Sequence, residues 1–357
     1  MVNVRFKPHP FFIERAKASQ ERYDLIDAVF DGDGRYAMKK LKKKENRVCL
    51  FCGKSKPEVN FKSDAHLVSN HIGNTSLFSD FECHTCNLKF GKLEDDLAKF
   101  LGISKALAKL YQNKPEGYKG RHLSAHARSY LGNSLLILAP KDIKQEENKL
   151  VIRYTKNPYK PISVYKSLLK FSLSILPREE VKQNLPRALD FLADKLNATR
   201  GAYLSRYLLP FDRMSPLCIM VFKKKKGNDL LPTYIISFYL GNNIINLPLL
   251  LHEKDAFRNE EVEIILPPPY FFDERYLQEP VVDYGLRDFC SPQKVNDEVE
   301  ELLLTLSEDF QHQLTTYDPV TNTTALRSLD GTPIHHLTIM KEGVNIDPKI
   351  LASFTKD

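Results

Sequence analysis

Four of the six cysteines form two short pairs, Cys49-Leu-Phe-Cys52 and Cys83-His-Thr-Cys86, separated by 30 residues. Two knuckles of this kind are what a tetrahedral zinc site with four cysteine ligands requires, since each tight turn supplies two thiolates. Gly53 relieves the backbone of the first turn. Redox chemistry could account for one such pair but not for both. The start, Met1-Val-Asn-Val-Arg-Phe-Lys, lacks the basic end, apolar core and cleavage site of an export signal. A reducing compartment disfavours disulfides, so the paired thiols read as ligands of structural zinc. Cys218, in an apolar run, and Cys290, beside a Ser-Pro, read as inert.

The remaining chain must fold around or beyond this staple. With 357 residues it is long enough for two domains. Hydrophobic content of 42% with 27% charged residues excludes disorder and fibrous repeats as the main organisation. No apolar run approaches the roughly 18–20 residues that cross a bilayer, so a cytoplasmic protein without membrane contact is expected. The net charge of +7 is concentrated: the first 110 residues carry 20 Lys and Arg against 14 Asp and Glu. Lys39-Lys-Leu-Lys-Lys-Lys44, followed by Arg47, lies directly before the first knuckle. Such a run is suited to neutralising phosphates, although a solvated face has the same composition.

Apolar spacing predicts a helix over 11–30, broken by Asp31-Gly-Asp-Gly34, and a short basic helix over 35–44. A strand-like piece around Phe61, a loop and a second knuckle come next. A helix is predicted over 93–101, with Glu94, Asp95 and Asp96 favouring its start, and helical character continues over 103–111. Asn113 to Gly117 marks a boundary. Beyond it, 134–139 and 149–154 read as two strands joined by a polar loop. Residues 163–176 and 186–196 read as helices, the second with Pro at its tolerated first position. Residues 216–222 and 233–240 read as strands with Lys223–Asp229 as the hairpin loop, 262–266 as a strand closed by Pro267 to Pro269, and 295–310 as an amphipathic helix. The class is α+β, and no internal repeat is visible.

Between and after the knuckles stand Lys62-Ser-Asp64-Ala-His66-Leu-Val, Gly73-Asn74 and, directly after the last cysteine, Asn87. This His…Asn…Cys-x-x-Cys-Asn order resembles the HNH (ββα-metal) endonuclease family, in its zinc-containing four-cysteine branch, over about residues 47–101. Phe90-Gly-Lys-Leu-Glu-Asp95 is similar to the segment directly after the motif in bacterial HNH proteins, and Val164 to Pro177 to a segment of their downstream part. The resemblance implies an N-terminal ββα-metal module stapled by zinc, with a larger α+β domain after it. It also implies a metal-dependent endonuclease that hydrolyses DNA, with Mg²⁺ or Mn²⁺ as the catalytic metal. His66 would be the general base, Asn74 would brace the loop that aims it, and Asn87 would be a metal ligand. A neutral imidazole suits the role because its pKa lies near working pH. Family members commonly place Asp, Glu or His directly before the histidine, where this chain has Ala65. Asp64, two residues from His66 and on the same strand face, is expected to take that ligand role, with His71 and Glu94 as reserves.

With the boundary at Asn113 to Gly117, the chain is expected to divide into an N-terminal helical region with the basic run (1–47), a nuclease domain (48–117) and an α+β domain (118–357). Partners would be nucleic acid, double-stranded DNA foremost, and a second copy or another protein bound through the C-terminal domain. A restriction or anti-phage role rests on family habit alone. The alternative is a zinc-stapled nucleic-acid-binding or scaffold protein whose degenerate HNH site does not cut. His84 reads as an exposed knuckle residue, and Glu94 as a favourable charge at a helix start. His122, His126, His335 and His336 read as structural or surface residues. Tyr154, Tyr159, Tyr165, Tyr203 and Tyr207, with nearby Arg153, Lys156, Lys160 and Arg206, read as an α+β core in preference to a base-stacking surface. Neither a Walker loop nor a dinucleotide fingerprint is present.

Overall fold

The structure is a computed structural model. It describes residues 3–6, 12–108, 118–120, 123–130, 133–140, 143–146, 149–196, 201–208, 215–227, 230–256, 261–267, 285–305, 314–315, 327–328 and 337–339. In chain order the first third contains β1 (Asn3–Phe6), α1 (Phe12–Arg22), β2 (Tyr23–Phe30), β3 (Ala65–His66), β4 (Phe78–Ser79), α2 (His84–Leu101) and α3 (Ser104–Ala108). Next come β5 (Tyr118–Lys119), β6 (Leu123–Tyr130), β7 (Asn133–Pro140), β8 (Ile143–Glu146) and β9 (Lys149–Thr155). Helices α4 (Pro161–Ile175), α5 (Arg178–Asn184) and α6 (Pro186–Leu192) precede β10 (Tyr203–Leu208), β11 (Ser215–Lys224), β12 (Tyr234–Gly241) and β13 (Asn243–Pro248). The last described elements are α7 (Glu253–Ala256), β14 (Glu261–Ile264), β15 (Leu286–Asp288), β16 (Val299–Thr305), β17 (Leu314–Thr315), β18 (Arg327–Ser328) and β19 (Leu337–Ile339).

These elements divide into two compact units, each drawn from two stretches of chain: 1–98 with 159–294, and 99–158 with 295–357. The first holds a six-stranded antiparallel sheet in the order β15-β10-β13-β12-β11-β2, the parallel pair β1-β14 and the small pair β3-β4. Both faces of β12 and β13 are buried, which is why they read as nearly continuous apolar runs instead of alternating ones. Ala18 of α1 packs with Tyr23, Phe222, Ile235, Tyr239 and Ile265 in the core cluster of this sheet. The second unit contains the sheets β16-β9-β8 and β19-β7-β6-β5, all antiparallel, and the pair β17-β18.

Several elements depart from the sequence expectation. The helix predicted over 11–30 ends at Arg22, and Tyr23–Phe30 is a strand held by β11 from Cys218↔Phe30 to Lys224↔Tyr23. Pairing with a distant strand outweighs the local helical spacing there; Phe11 lies outside the described residues. The basic stretch forms three single 3-10 turns, Gly34–Tyr36, Met38–Lys40 and Lys44–Asn46, in place of one helix. Ala37 and Leu41 are extended between the turns, and like charges four residues apart, Lys39/Lys43 and Lys40/Lys44, disfavour a continuous helix. Phe61 is a buried loop residue and not part of a strand. Helix α2 begins at His84, so Glu94, Asp95 and Asp96 lie in its middle and not at its N-terminus. Residues 143–146, expected in a loop, form β8; β9 pairs with β8 and β16, whereas β7 pairs with β6 and β19. The helix predicted over 295–310 contains β16, registered on β9 from Val299↔Thr155 to Thr305↔Lys149. The expected boundary at 113–117, Pro268 and Pro269, residues 306–310, His122, and His335 with His336 lie outside the described residues.

Other expectations hold. Helix α4, helix α6 with its initial proline, the β11–β12 hairpin pair and β14 fall where the pattern places them. Tyr154, Tyr159 and Tyr165 are buried, as an α+β core requires. Helix α4 is more deeply enclosed than its stripe of Val164, Leu168, Phe171 and Ile175 indicates. All but one of its residues, including Lys166 and Lys170, are buried. Among the described residues, no helix is long and apolar enough to cross a membrane.

Candidate active site and metal centre

The two knuckles meet. The ligand sulfurs of Cys49, Cys52, Cys83 and Cys86 all lie within 4.8 Å of one another, and Cys52 Sγ is 3.8 Å from Cys83 Sγ. Zinc–sulfur bonds of about 2.3 Å in a tetrahedron put sulfurs about 3.8 Å apart, so the cluster has the size that zinc demands. The first knuckle turns through Gly53, at φ +72°, whose N–H donates to Cys49 O at 2.9 Å. Leu50 N donates to Phe81 O at 2.8 Å, which clamps it to the second knuckle. That knuckle is also the entry to α2, where Asn87 N donates to Cys83 O at 2.9 Å.

The thiols suit a cation and not a set of four neutral neighbours. Hydrogen bonding from Cys86 holds Cys49 down to about 5, despite burial. Burial and the neighbouring thiolate push Cys52 up to about 11, and the bond to Cys49, with burial, pushes Cys86 up strongly. At this spacing the Cys49 thiolate disfavours ionisation of Cys52 and Cys86, and a divalent ion removes that conflict. The four residues could therefore form a zinc site.

The small hairpin carries His66. Ala65 pairs with Ser79 and His66 with Phe78, whose ring centroid lies 4.8 Å from the imidazole. Ala65 is 1% exposed and His66 half-buried. Between the strands, Ser69 caps a 3-10 turn over Asn70–Ile72, which ends at Gly73 with φ +100°. Only glycine adopts that geometry without strain. Asn74, 0% exposed, then ties the loop together. Its Nδ2 donates to Val68 O at 2.6 Å and Leu77 O at 2.9 Å and lies 3.3 Å from His66 Nδ1. Its Oδ1 accepts from Leu77 N at 2.8 Å and Ser76 N at 3.1 Å.

Two residues that sequence reasoning did not single out hold this hairpin. Asp31, from the turn after β2, accepts from Thr75 N and Ser76 N at 3.0 Å each, from Thr75 Oγ1 at 2.6 Å and from Ser76 Oγ at 2.7 Å. These bonds pull its carboxyl below the usual range against the opposing effect of burial. From α4, Lys170 reaches His66 O at 3.1 Å and Leu67 O at 3.4 Å. The same ammonium stands 3.0 Å from Glu82 Oε2 and 3.4 Å from Glu94 Oε1. Burial pushes Glu82 up to about 7, and Lys170 opposes that shift. A lysine inside a buried apolar helix was the available signal, because buried charges are kept only when paired. Its partners could not be named from spacing.

The imidazole of His66 is held below its ordinary value, first by burial and then by the Lys170 charge, while Glu94 and Asp31 oppose both. Asp64 lies among cations: its Oδ1 is 3.4 Å from Lys44 Nζ and 3.6 Å from Arg47 NH1. Asn87 is half-buried in the first turn of α2. His84, half-buried, has Nδ1 3.2 Å from Ser63 Oγ, and His71 is exposed. Among the described residues the thiol cluster is the group of three or more His, Cys, Asp or Glu side chains arranged to hold a metal.

The basic stretch is wrapped on this module. Lys44 Nζ donates to Lys62 O at 3.1 Å, Arg47 Nε to Lys42 O at 2.9 Å, and Lys42 N to Asp80 Oδ2 at 3.1 Å. Lys39, Lys40, Lys42 and Lys43 remain exposed.

Residues 49–99 match the family model of HNH endonucleases. No curated protein and no solved structure matches the chain. The matched segment spans the two knuckles, the β3-β4 hairpin and most of α2, and it supports nuclease-type chemistry on nucleic acid.

Proposed function

We propose that the chain is a metal-dependent endonuclease that hydrolyses DNA phosphodiester bonds at His66. What carries the reading is the coincidence of the family match with a half-buried histidine whose pKa is held down by burial and the Lys170 charge and whose Nδ1 lies 3.3 Å from Asn74 Nδ2. His66 accepts a proton from water as the water oxygen attacks phosphorus. The bond from phosphorus to the 3′ oxygen breaks, the departing alkoxide takes a proton from solvent water and the imidazolium returns its proton to solvent, leaving a 5′-phosphate and a 3′-hydroxyl. Asn87 and Asp64 would hold Mg²⁺ or Mn²⁺. When bound, that ion supplies charge stabilisation at the phosphate and at the leaving oxygen. Exposed Lys39, Lys40, Lys42 and Lys43 would lie along the phosphate backbone and set affinity without reading sequence. Residues beyond the nuclease module would select the target or a partner, a second copy included. A cytoplasmic restriction or anti-phage role is the setting proposed for this activity.

One observation favours a second reading, a module that binds nucleic acid without cutting. Asp64 already has Lys44 and Arg47 as partners, and Ala65 offers no ligand. Plasmid DNA incubated with Mg²⁺ or Mn²⁺ separates the two. Cleavage by the wild type and none by His66→Ala supports the enzyme. Binding without cleavage under every divalent ion supports the alternative. Among active enzymes, Asp64→Ala and Glu94→Ala distinguish the carboxylate ligand by which one raises the metal concentration needed for half-maximal rate.

A further inference from the structure

We infer that Lys170, outside the matched HNH segment, is a positioning residue for His66, so that α4 belongs to the nuclease site; this rests on His66 being the base. Lys170 lies 104 residues after His66 in sequence, yet its ammonium donates to the His66 carbonyl at 3.1 Å. The adjacent Leu67 carbonyl lies 3.4 Å away. A side chain bonded to two successive carbonyls fixes the peptide plane between them, and with it the direction in which the histidine leaves the strand. β3 is only two residues long and, among the described residues, pairs with the equally short β4 alone. Its own ladder therefore offers little resistance to twisting, and an external brace has a large effect.

The brace is itself rigid. Lys170 is 1% exposed, and its charge is balanced by Glu82 Oε2 at 3.0 Å and Glu94 Oε1 at 3.4 Å. Glu82 directly precedes the second knuckle and Glu94 lies on α2, so one ammonium ties the histidine strand to both elements that would present metal ligands. The Phe90 and Phe171 rings lie 5.9 and 5.2 Å from the nitrogen and help to close the site around it. A lysine that served stability alone would need its carboxylate partners but not the successive carbonyls of His66 and Leu67. Misplacing a reacting group by about 1 Å can cost on the order of 100-fold in rate.

The test uses the full-length, zinc-loaded chain with Lys170→Met and the charge-balanced pair Lys170→Met/Glu82→Gln. Cleavage kinetics on plasmid DNA are read beside zinc content, thermal melting and hydrogen exchange of the segment 64–68. The expected result is a fold that retains zinc, a kcat lower by about 100-fold with KM unchanged, and faster exchange confined to 64–68. Wild-type kcat and exchange in either folded variant would overturn the proposal. Loss of zinc or of cooperative melting in both variants would make Lys170 a folding residue and overturn it equally. If the wild type cuts under no divalent ion, the nuclease reading fails, and the exchange measurement still decides whether Lys170 holds the histidine strand.

Discussion

Replacing Asn74 tests whether this residue holds the hairpin loop, and its hydrogen bonds allow the cost to be apportioned. In Asn74→Ala, five groups lose a contact with the side chain: Val68 O, Leu77 O, Ser76 N, Leu77 N and, at 3.3 Å, His66 Nδ1. Two retain another partner, because Leu77 O accepts from Leu67 N at 3.0 Å and Ser76 N donates to Asp31 Oδ1 at 3.0 Å. Val68 O and Leu77 N depend on the Asn74 side chain. At about 1–3 kcal/mol for each orphaned buried group, the variant should lose about 4 kcal/mol. For a unit of this size that corresponds to a fall of about 10 °C in melting temperature. Asn74→Asp is the sharper perturbation. It preserves volume and the Oδ1 acceptor but places a second acceptor where Nδ2 now faces two carbonyl oxygens at 2.6 and 2.9 Å. A buried carboxylate against two carbonyls should cost more than the alanine void. Thermal melting at pH 8, with zinc content measured in parallel, reads both variants. An Asn74→Asp protein as stable as wild type would refute the loop-bracing role; one more stable than Asn74→Ala would refute the donor assignment of Nδ2.

The zinc knuckles, the histidine and the basic run each offer a further test. Cys83→Ser should abolish stoichiometric zinc and unfold residues 49–99, since structural zinc contributes about 10–16 kcal/mol to a small domain; elemental analysis and circular dichroism check it, and retained zinc would refute the site. Because the His66 pKa is lowered, its neutral form persists below the ordinary imidazole value of about 6.5. The cleavage rate should therefore fall, as pH drops, with a midpoint below the ordinary imidazole value of about 6.5. A midpoint at or above pH 6.5 in the wild type would contradict the assignment. Charge removal at Lys39, Lys40 and Lys43 together should reduce the slope of log affinity against log salt by about 2.7, or about 0.9 per phosphate contact. Fluorescence anisotropy with duplex DNA measures the slope, and an unchanged value would exclude the run from the interface.

What was legible in the sequence is what local spacing dictates. Two residues between paired thiols place both on one turn, so the four-thiol cluster could be read before any fold was known. The order of His66, Asn74 and Asn87 around those thiols was equally readable, and so were α4 and the β11–β12 pair, whose patterns are long and uninterrupted. Errors fell where a distant partner outweighs local preference. Tyr23–Phe30 is a strand because β11 supplies its hydrogen bonds, and Val299–Thr305 because β9 does. Compactness, too, is a property of contacts and not of order along the chain: each compact unit joins stretches far apart in sequence.

The site shows the limit most sharply. Asp64 and His66 sit two residues apart, but whether a carboxylate faces a metal or a cation depends on which side chains arrive from elsewhere; here Lys44 and Arg47 arrive. Asp31 and Lys170 reach the hairpin from before and after the motif, through contacts that no spacing rule encodes. Sequence alone determined the match of residues 49–99 to the HNH endonuclease model, which supports nuclease-type chemistry. Tertiary structure decided what holds the His66 hairpin, because a two-residue strand offers little pairing of its own and the contacting groups come from distant parts of the chain.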